Sequence, residues 1–327
     1  MDLRDVFTAH RRIAPYIRRT PFARSTWLSD ITGARVWLKH ESKQLSNSFK
    51  ARGAFNAVLT RLEREHPPAR LVTASAGNHG RGLAAAAEVF GLPLVVFTPA
   101  DAPRVKLDPI RRHGAELRAD GCDYDDAEQR AKTYAHETGA EFISPYDDAD
   151  VIAGAATIAL EMLDEAPEID TVVVPIGGGG LISGIGTVVK AVDRSRRVIG
   201  VEVEASHAFH ASLAAGRLVP IVAGPTLADG LGGNPDPHTI TWPMIQQVVD
   251  SIVLVGEHDL EAAVAGLVEH EHEIAEGAGA AATAALLTSR VEVTGRSVAV
   301  LVTGANIDRE RLAAVLGPVG SGSARAG

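Results

Sequence analysis

Short β-branched runs alternate with helical segments along most of this chain. Residues 71–74, 171–174 and 298–302 are apolar over four or five positions, and stretches with helical apolar spacing lie between such runs. A continuous apolar run of that length is typical of a strand that is buried on both faces. Strands that alternate with helices predict parallel βαβ units. The chain is therefore predicted to form an α/β fold in which helices cover both faces of a mostly parallel sheet.

The same pattern predicts the order of the elements. The predicted strands are 36–39, 71–74, 94–97, 116–117, 141–143, 171–174, 197–203, 251–255 and 298–302. The predicted helices are 5–17, 50–60, 83–90, 105–113, 124–139, 153–163, 182–192, 239–248, 259–275 and 279–288. The glycine- and serine-rich tail from 317 to 327 is predicted to be frayed.

Composition narrows the class of protein. A chain of 327 residues with 46% hydrophobic and 22% charged residues has enough apolar material for a sizeable core. A net charge of −9 argues against a nucleic-acid partner, which calls for a basic face. The solitary Cys122 excludes an internal disulfide framework, and the N-terminus lacks the apolar segment of a signal peptide. We therefore expect a cytoplasmic protein with neither nucleic-acid nor membrane partners.

One segment resembles a membrane span in length. Residues 171–189 carry no charge, but Pro175 and four consecutive glycines interrupt them. These residues break the segment into strand, loop and helix, so we interpret it as part of a soluble fold.

Lys50 is the first candidate for chemistry. It follows Phe49 and a run of small polar residues, and it opens an apolar helical segment. An ammonium group held at the edge of a core loses hydration, so its pKa falls and its amine becomes a better nucleophile. Most lysines are solvated surface charges, so this hypothesis needs partners elsewhere in the chain.

A run of four glycines, Gly177 to Gly180, supplies one partner. It follows a buried strand and precedes a helix, where glycine lets backbone N–H groups surround a phosphate. The run matches neither the Walker pattern nor the dinucleotide Gly-x-Gly-x-x-Gly spacing, and an ordinary flexible turn is the alternative. Together, a lysine and a phosphate cradle indicate pyridoxal phosphate.

Four segments in order carry a family resemblance. They are the Ser46-to-Ala54 stretch around Lys50, Ser75-Ala76-Gly77-Asn78-His79, Gly177-Gly178-Gly179-Gly180-Leu181 and Thr303-Gly304-Ala305-Asn306. With these segments the chain resembles pyridoxal-phosphate enzymes of fold type II, and most of all the threonine/serine dehydratase family. That family also includes serine racemase and 3-hydroxyaspartate dehydratase. Residues 227–234 are most similar to dehydratase-like proteins linked to hydroxyectoine use.

The resemblance implies an architecture. It is the tryptophan-synthase-β-like fold, with two open, mostly parallel sheets covered by helices on both faces. A small domain at 50–146 is inserted into a large cofactor-binding domain formed by 1–49 and 147–327. No C-terminal regulatory domain is expected, and the family implies a homodimer.

The resemblance also implies roles for individual residues. Lys50 would hold the cofactor covalently and then remove the substrate α-proton, while Phe49 would stack near the cofactor ring. The phosphate would be bound by Gly177, Gly178, Gly179, Gly180 and Leu181. The substrate carboxylate would be bound by backbone amides of Ser75, Ala76, Gly77, Asn78 and His79. Asn78 would hydrogen-bond the pyridine 3-oxygen, Thr303 would contact the pyridine nitrogen, and Glu276 would lie near the site.

Plainer interpretations exist for the same residues. Phe49 fits core packing, Asn78 and Thr303 fit turns, and Glu276 fits an acid at a helix N-terminus. Only their combination favours the active-site interpretation.

Two departures from the family pattern are informative. Serine racemases carry a serine at the position of Ala76 as the base for the second face of the substrate, and alanine has no proton-transfer group. Glu202 aligns with a glutamate that helps to bind a divalent cation in the racemase branch, but Ala208 replaces the aspartate of that site. One carboxylate makes Glu202 a weak metal candidate, and without a His-Glu-x-x-His pattern we predict no zinc site.

The sequence therefore predicts a pyridoxal-phosphate ammonia-lyase. Its substrate would be a small β-hydroxy amino acid such as L-threonine, L-serine or 3-hydroxyaspartate, and its products a 2-oxo acid and ammonia. The alternatives are a racemase or a β-replacement synthase on the same fold, or a non-catalytic metabolite-binding protein.

Overall fold

A computed structural model describes residues 1–317 and shows two separate sheets. The prediction for the tail lies outside the described residues, except for Gly317. The larger sheet has the strand order β1-β2-β10-β7-β8-β9, and only the β1–β2 pair is antiparallel. Its strands are β1 (Phe22–Arg24), β2 (Arg35–His40), β7 (Thr171–Pro175), β8 (Arg197–Val203), β9 (Ser251–Val255) and β10 (Ser297–Val302).

The smaller sheet has four strands in the order β5-β4-β3-β6, all of them parallel. These strands are β3 (Leu71–Ala74), β4 (Leu94–Pro99), β5 (Glu116–Gly121) and β6 (Glu141–Phe142). All four fall between residues 50 and 146, and every strand of the larger sheet falls outside that range. The exact domain boundaries stay a prediction.

Thirteen helices accompany the sheets within residues 1–317. They are α1 (Leu3–Ile13), α2 (Thr26–Thr32), α3 (Lys50–Leu62), α4 (Asn78–Val89), α5 (Arg104–Arg112), α6 (Tyr124–Thr138), α7 (Ala149–Glu165), α8 (Gly180–Val192), α9 (Ala208–Ala215), α10 (Thr241–Val248), α11 (Glu257–Glu271), α12 (Gly277–Leu287) and α13 (Arg309–Leu316). No helix in the described part of the chain is long and apolar enough to cross a membrane.

Both faces of the larger sheet are covered, as the apolar runs predicted. Along β7, Val172 and Val174 pack into a core with residues of α7 and α8, whereas Val173 packs into a second core with α11 and α12. Successive side chains of a strand point to opposite faces, so a continuous apolar run can supply both cores. The predicted α/β class, with helices on both faces, is confirmed.

Helix α3 connects the two halves of the molecule. It packs against α4 beside the smaller sheet and against α7 beside the larger one. The approach to α7 is close: a Cβ added to Gly154 would lie 2.5 Å from the carbonyl oxygen of Arg52. Lys50, the first residue of α3, therefore lies where the two sheets meet.

Several boundaries differ from the predictions. The first helix ends at Ile13 instead of residue 17, and α11 ends at Glu271 because His272 takes a left-handed conformation with φ of 53°. Helix α4 begins at Asn78, five residues earlier than predicted. Sequence reasoning missed β1, α2, α9 and α13, which are short and show little apolar periodicity.

Candidate active site

One cavity of about 390 Å³ collects the predicted site residues. It lies at the carboxyl ends of β3, β7 and β10, where open α/β sheets bind ligands. Its lining includes Phe49, Lys50, Ser75, Ala76, Gly77, Asn78, His79, Gly177, Gly178, Gly179, Gly180, Leu181, Glu276 and Thr303. Of the predicted candidates, only Glu202 lies elsewhere.

Lys50 reaches this cavity from the start of α3. Its Nζ donates a hydrogen bond to the carbonyl oxygen of Pro145 at 2.8 Å and lies 5.1 Å from the centroid of the Phe49 ring. Within residues 1–317, no carboxylate forms an ion pair with it. Loss of hydration lowers the pKa of Lys50 to about 8, so a larger fraction of its amine is neutral near pH 7 than for an ordinary lysine.

The glycine loop (residues 177–180) ends at the N-terminus of α8. Gly179 is the N-cap and has φ of 85°, which favours glycine. A Cβ added to Gly178 would overlap the ring of Tyr146, so that position has no room for a side chain. In the described structure, the amides of residues 177–181 donate to no other protein atom. Free amides at a helix N-terminus suit a phosphate group, so the loop fits pyridoxal phosphate.

The 75–79 loop forms a second set of free amides at the N-terminus of α4. Ser75 Oγ accepts hydrogen bonds from the amides of Gly77 at 3.2 Å and Gly80 at 3.0 Å, which fixes the turn. The amides of Ala76, Asn78 and His79 have no protein acceptor among residues 1–317. Such a turn can bind a carboxylate through its backbone.

The His79 side chain contributes no positive charge there. It is buried, and loss of hydration together with the nearby Lys50 lowers its pKa to about 3. The imidazole is therefore neutral at physiological pH, and the backbone and the helix N-terminus supply the attraction for an anion.

Asn78 lies in the middle of a hydrogen-bonded chain. Its Nδ2 donates to Glu276 Oε1 at 2.5 Å, and its Oδ1 accepts from Asn306 Nδ2 at 2.6 Å. Arg81 Nη1 in turn donates to Asn306 Oδ1 at 2.6 Å. Burial raises the pKa of Glu276 to about 7, although the Asn78 hydrogen bond opposes that shift. These contacts fix the orientation of the Asn78 amide.

Sequence reasoning missed two members of this chain as site residues. Asn306 closes the Thr303 segment, which was already a family motif. Arg81 follows Asn78 by three positions on α4, and residues with that spacing share a helix face.

Thr303 ends β10 and is buried. Its Oγ1 donates to the carbonyl oxygen of Ala278 at 3.3 Å, and its own carbonyl accepts from the amide of Phe49 at 3.1 Å. This backbone contact ties the segment that carries Lys50 to the end of β10. The predicted contact of Thr303 with the pyridine nitrogen stays a prediction.

Glu202 caps helix α9 and does not face the cavity. It is 2% exposed, and its two carboxylate oxygens accept from the amides of Phe209 at 3.0 Å and His210 at 2.7 Å. Burial raises the pKa of Glu202 to about 7 in spite of these bonds. Residues 1–317 contain no group of three or more His, Cys, Asp or Glu side chains that could hold a metal ion.

The chain belongs to the family of pyridoxal-phosphate dependent enzymes, whose family model matches residues 13–304. It is thus an enzyme that uses pyridoxal phosphate, as the sequence predicted, and the predicted fold type II architecture is confirmed. The glycine loop, with its free amides, and the buried Lys50 fit that cofactor.

Curated relatives and solved structures narrow the family further. The chain is 39% identical to an L-threonine ammonia-lyase of Thermotoga maritima, over 94% of this chain and 76% of that protein. It is 37% identical to a catabolic L-threonine dehydratase of Staphylococcus aureus, over 97% and 92% of the two chains. Maize serine racemase superposes with a TM-score of 0.90 at 32% identity, covering 95% of each chain. A bacterial threonine deaminase, that of T.th., superposes with a TM-score of 0.87 at 37% identity, over 94% and 99%.

Proposed function

We propose that this protein is an ammonia-lyase that converts a small β-hydroxy amino acid to a 2-oxo acid and ammonia. L-Threonine, L-serine and 3-hydroxyaspartate are the candidate substrates. One observation carries the proposal: the Lys50 amine faces a cavity that has a free anion site at each of two helix N-termini, those of α4 and α8. Relatives named L-threonine ammonia-lyase and L-threonine dehydratase support it.

The two anion sites would orient the reactants. The amides of residues 177–181 would hold the cofactor phosphate, and those of residues 75–79 would hold the substrate α-carboxylate. Asn78, held by Glu276 and Asn306, would present an amide N–H to the cofactor ring. Bound pyridoxal phosphate supplies the electron sink for cleavage of the Cα–H bond.

Lys50 would then act as the base. It lies within the same cavity as the 75–79 loop, and its lowered pKa favours the neutral amine that accepts a proton. Thr303 offers a hydroxyl instead of a carboxylate to the pyridine nitrogen, so that nitrogen would not be held protonated. A weaker electron sink favours rapid loss of the β-hydroxyl over a long-lived carbanion.

Racemisation is the second candidate, because maize serine racemase shares the fold closely. It requires a proton-transfer group on the second face of the substrate, and Ala76 supplies none. The neighbouring Ser75 Oγ already accepts two backbone hydrogen bonds. A racemase would abolish the optical activity of L-serine without forming oxo acid, and this outcome would replace the lyase proposal.

An oxo-acid assay tests the function. Purified protein loaded with pyridoxal phosphate would be offered L-threonine, L-serine and both diastereomers of 3-hydroxyaspartate. We expect oxo-acid release that disappears in Lys50→Ala. Lys190→Ala is the matched control, because Lys190 pairs with Asp250 at the far end of α8. Absence of release from every substrate would refute the proposal.

Assembly and location belong to the same proposal. We propose a cytoplasmic homodimer, on the strength of the family resemblance, with the small domain at 50–146. Light scattering during gel filtration tests the dimer, since a monomer would elute near the chain mass of 34.3 kDa.

A further inference from the structure

A second cavity adjoins the catalytic one. It has a volume of about 420 Å³ and lies between the first half of α6 and residues 218–237. Asp125, Tyr146, Asn234 and Pro235 line both cavities. We call this second cavity the vestibule. The space next to Lys50 therefore continues beyond what a threonine side chain would fill.

The position of Lys50 indicates which part of a substrate would face the vestibule. Lys50 Nζ contacts the carbonyl oxygen of Pro145, and the next residue, Tyr146, lines both cavities. A substrate whose α-carboxylate lies on the 75–79 loop must bring its Cα within reach of Nζ. Its side chain then extends past Tyr146 towards Asp125.

Asp125 is the carboxylate without a partner along this path. Within residues 1–317 it forms no ion pair and accepts no hydrogen bond. The cations that line the catalytic cavity are engaged: Lys106 pairs with Asp229, and Arg81 donates to Asn306. An unpaired negative charge beside the substrate side chain repels a second carboxylate and attracts a cation.

The vestibule has the same sign of charge. Its lining includes the carboxylates of Asp125, Glu128 and Asp236 and one cation, Lys132. Lys132 Nζ lies 3.2 Å from carboxylate oxygens of both Glu128 and Asp236. The net negative charge therefore continues outwards from Asp125.

We propose that Asp125 is a specificity-determining residue that restricts the substrate to β-hydroxy amino acids with a neutral or positively charged side chain. The inference rests on the proposed function and narrows it. L-Threonine, L-serine and longer β-hydroxy amino acids with a terminal amine are accepted, and 3-hydroxyaspartate is rejected. Asp125 is exposed, so solvent screening limits the discrimination to about five- to tenfold.

Binding of an isosteric pair tests the charge effect without turnover. L-Asparagine and L-aspartate, neither of which has a β-hydroxyl group, would be titrated into the cofactor-loaded enzyme, and the cofactor absorbance would report the dissociation constants. We expect L-asparagine to bind about five- to tenfold more tightly than L-aspartate. Asp125→Asn should reduce that ratio towards one. Glu137→Gln, an exposed carboxylate in the last turn of the same helix, should leave it unchanged.

Turnover gives the second readout. The ratio of kcat/KM for L-threonine to that for 3-hydroxyaspartate should fall about five- to tenfold in Asp125→Asn and stay constant in Glu137→Gln. Equal binding of the two ligands by the wild-type enzyme, or an unchanged ratio in Asp125→Asn, overturns the inference. So does failure of both ligands to bind, because a selective cavity must first admit a ligand. Absence of oxo acid from every substrate refutes the lyase function instead, and the binding ratio still decides the role of Asp125.

Discussion

Two lysines, Lys39 and Lys50, are withdrawn from water in this molecule, and their surroundings differ. Lys39 is fully buried, and its Nζ donates to Glu161 Oε2 at 2.6 Å and to the carbonyl oxygen of Thr20 at 2.8 Å. Lys50 donates to one neutral acceptor, the carbonyl oxygen of Pro145, and borders an open cavity.

The contrast extends to the neighbours of each lysine. Lys39 belongs to a buried network in which Arg52 pairs with both Glu41 and Glu161. This network joins β2, α3 and α7 through charges that compensate one another. Burial lowers the pKa of both lysines, but at Lys39 the adjacent Glu161 opposes the shift, whereas no carboxylate within residues 1–317 opposes it at Lys50. Burial alone thus does not identify a reactive lysine; the missing partner and the adjoining cavity do.

The largest difference should appear when each lysine is removed. Lys50→Ala should lower oxo-acid formation by at least about a thousandfold, since it removes the proposed base and the cofactor attachment. Its free energy of unfolding should stay within about 1 kcal/mol of wild type, because an unpaired buried amine contributes little to stability. Oxo-acid assays and urea denaturation measure the two quantities. A variant that unfolds readily but retains activity would reverse our assignment of the two lysines.

Lys39→Met should show the opposite behaviour, with a loss of about 3 kcal/mol of stability, because removing one partner of a buried ion pair leaves the other uncompensated. Met keeps the length and apolar stem of lysine. Urea denaturation of the cofactor-free proteins makes the measurement, with Lys190→Ala as the surface comparison. Wild-type stability would mean that Arg52 alone is sufficient for Glu161.

This buried network also shows where sequence reasoning stops. The Lys39–Glu161 contact joins residues 122 positions apart, and no local spacing predicts it. A charged Arg52 within an apolar helix was the available signal, because arginine is almost never fully buried unless it is paired. Which carboxylates pair with it depends on how the helices pack.

The active site was easier to predict than the network. Glycines without room for side chains, as at Gly178, and a lysine that opens a helix leave local marks in the sequence. The vestibule, by contrast, is formed by α6 and by residues 218–237, which are distant in the chain and come together only through the packing of the two sheets. Asp125 therefore could not be distinguished from the other acidic residues of α6 by sequence alone.

The same contrast applies to carboxylates, and a pH series tests it. Glu161, paired with two cations, has a lowered pKa, whereas the unpaired Glu202 has a pKa of about 7, above the value of 4.5 for an ordinary glutamate. A carboxyl whose pKa rises on folding favours the folded state at low pH, and that contribution is lost as pH rises through 7. Glutamine does not titrate. Glu202→Gln should therefore gain about 2 kcal/mol relative to wild type between pH 5 and pH 8.

Chemical denaturation at the two pH values measures this relative gain. Glu204→Gln, an exposed acid two residues away, is the control and should follow the wild-type profile. A pH-independent difference between Glu202→Gln and wild type would indicate that Glu202 is ionised throughout, so that its two hydrogen bonds outweigh its burial.

The mildest test compares the two lysines within one sample. Reductive methylation of the cofactor-free protein attacks neutral amines, and peptide mass spectrometry would report the modification of each lysine. Because the pKa of Lys50 is about 8, its methylation rate should rise about tenfold per pH unit from pH 6 and level off above pH 8. Lys39 should stay unmodified, since its Nζ is enclosed and bonded to Glu161. A Lys50 rate that still rises above pH 9 would mean that the cavity hydrates this amine like a surface lysine. In that case access to the cavity, and not a lowered pKa, would be what separates Lys50 from Lys39.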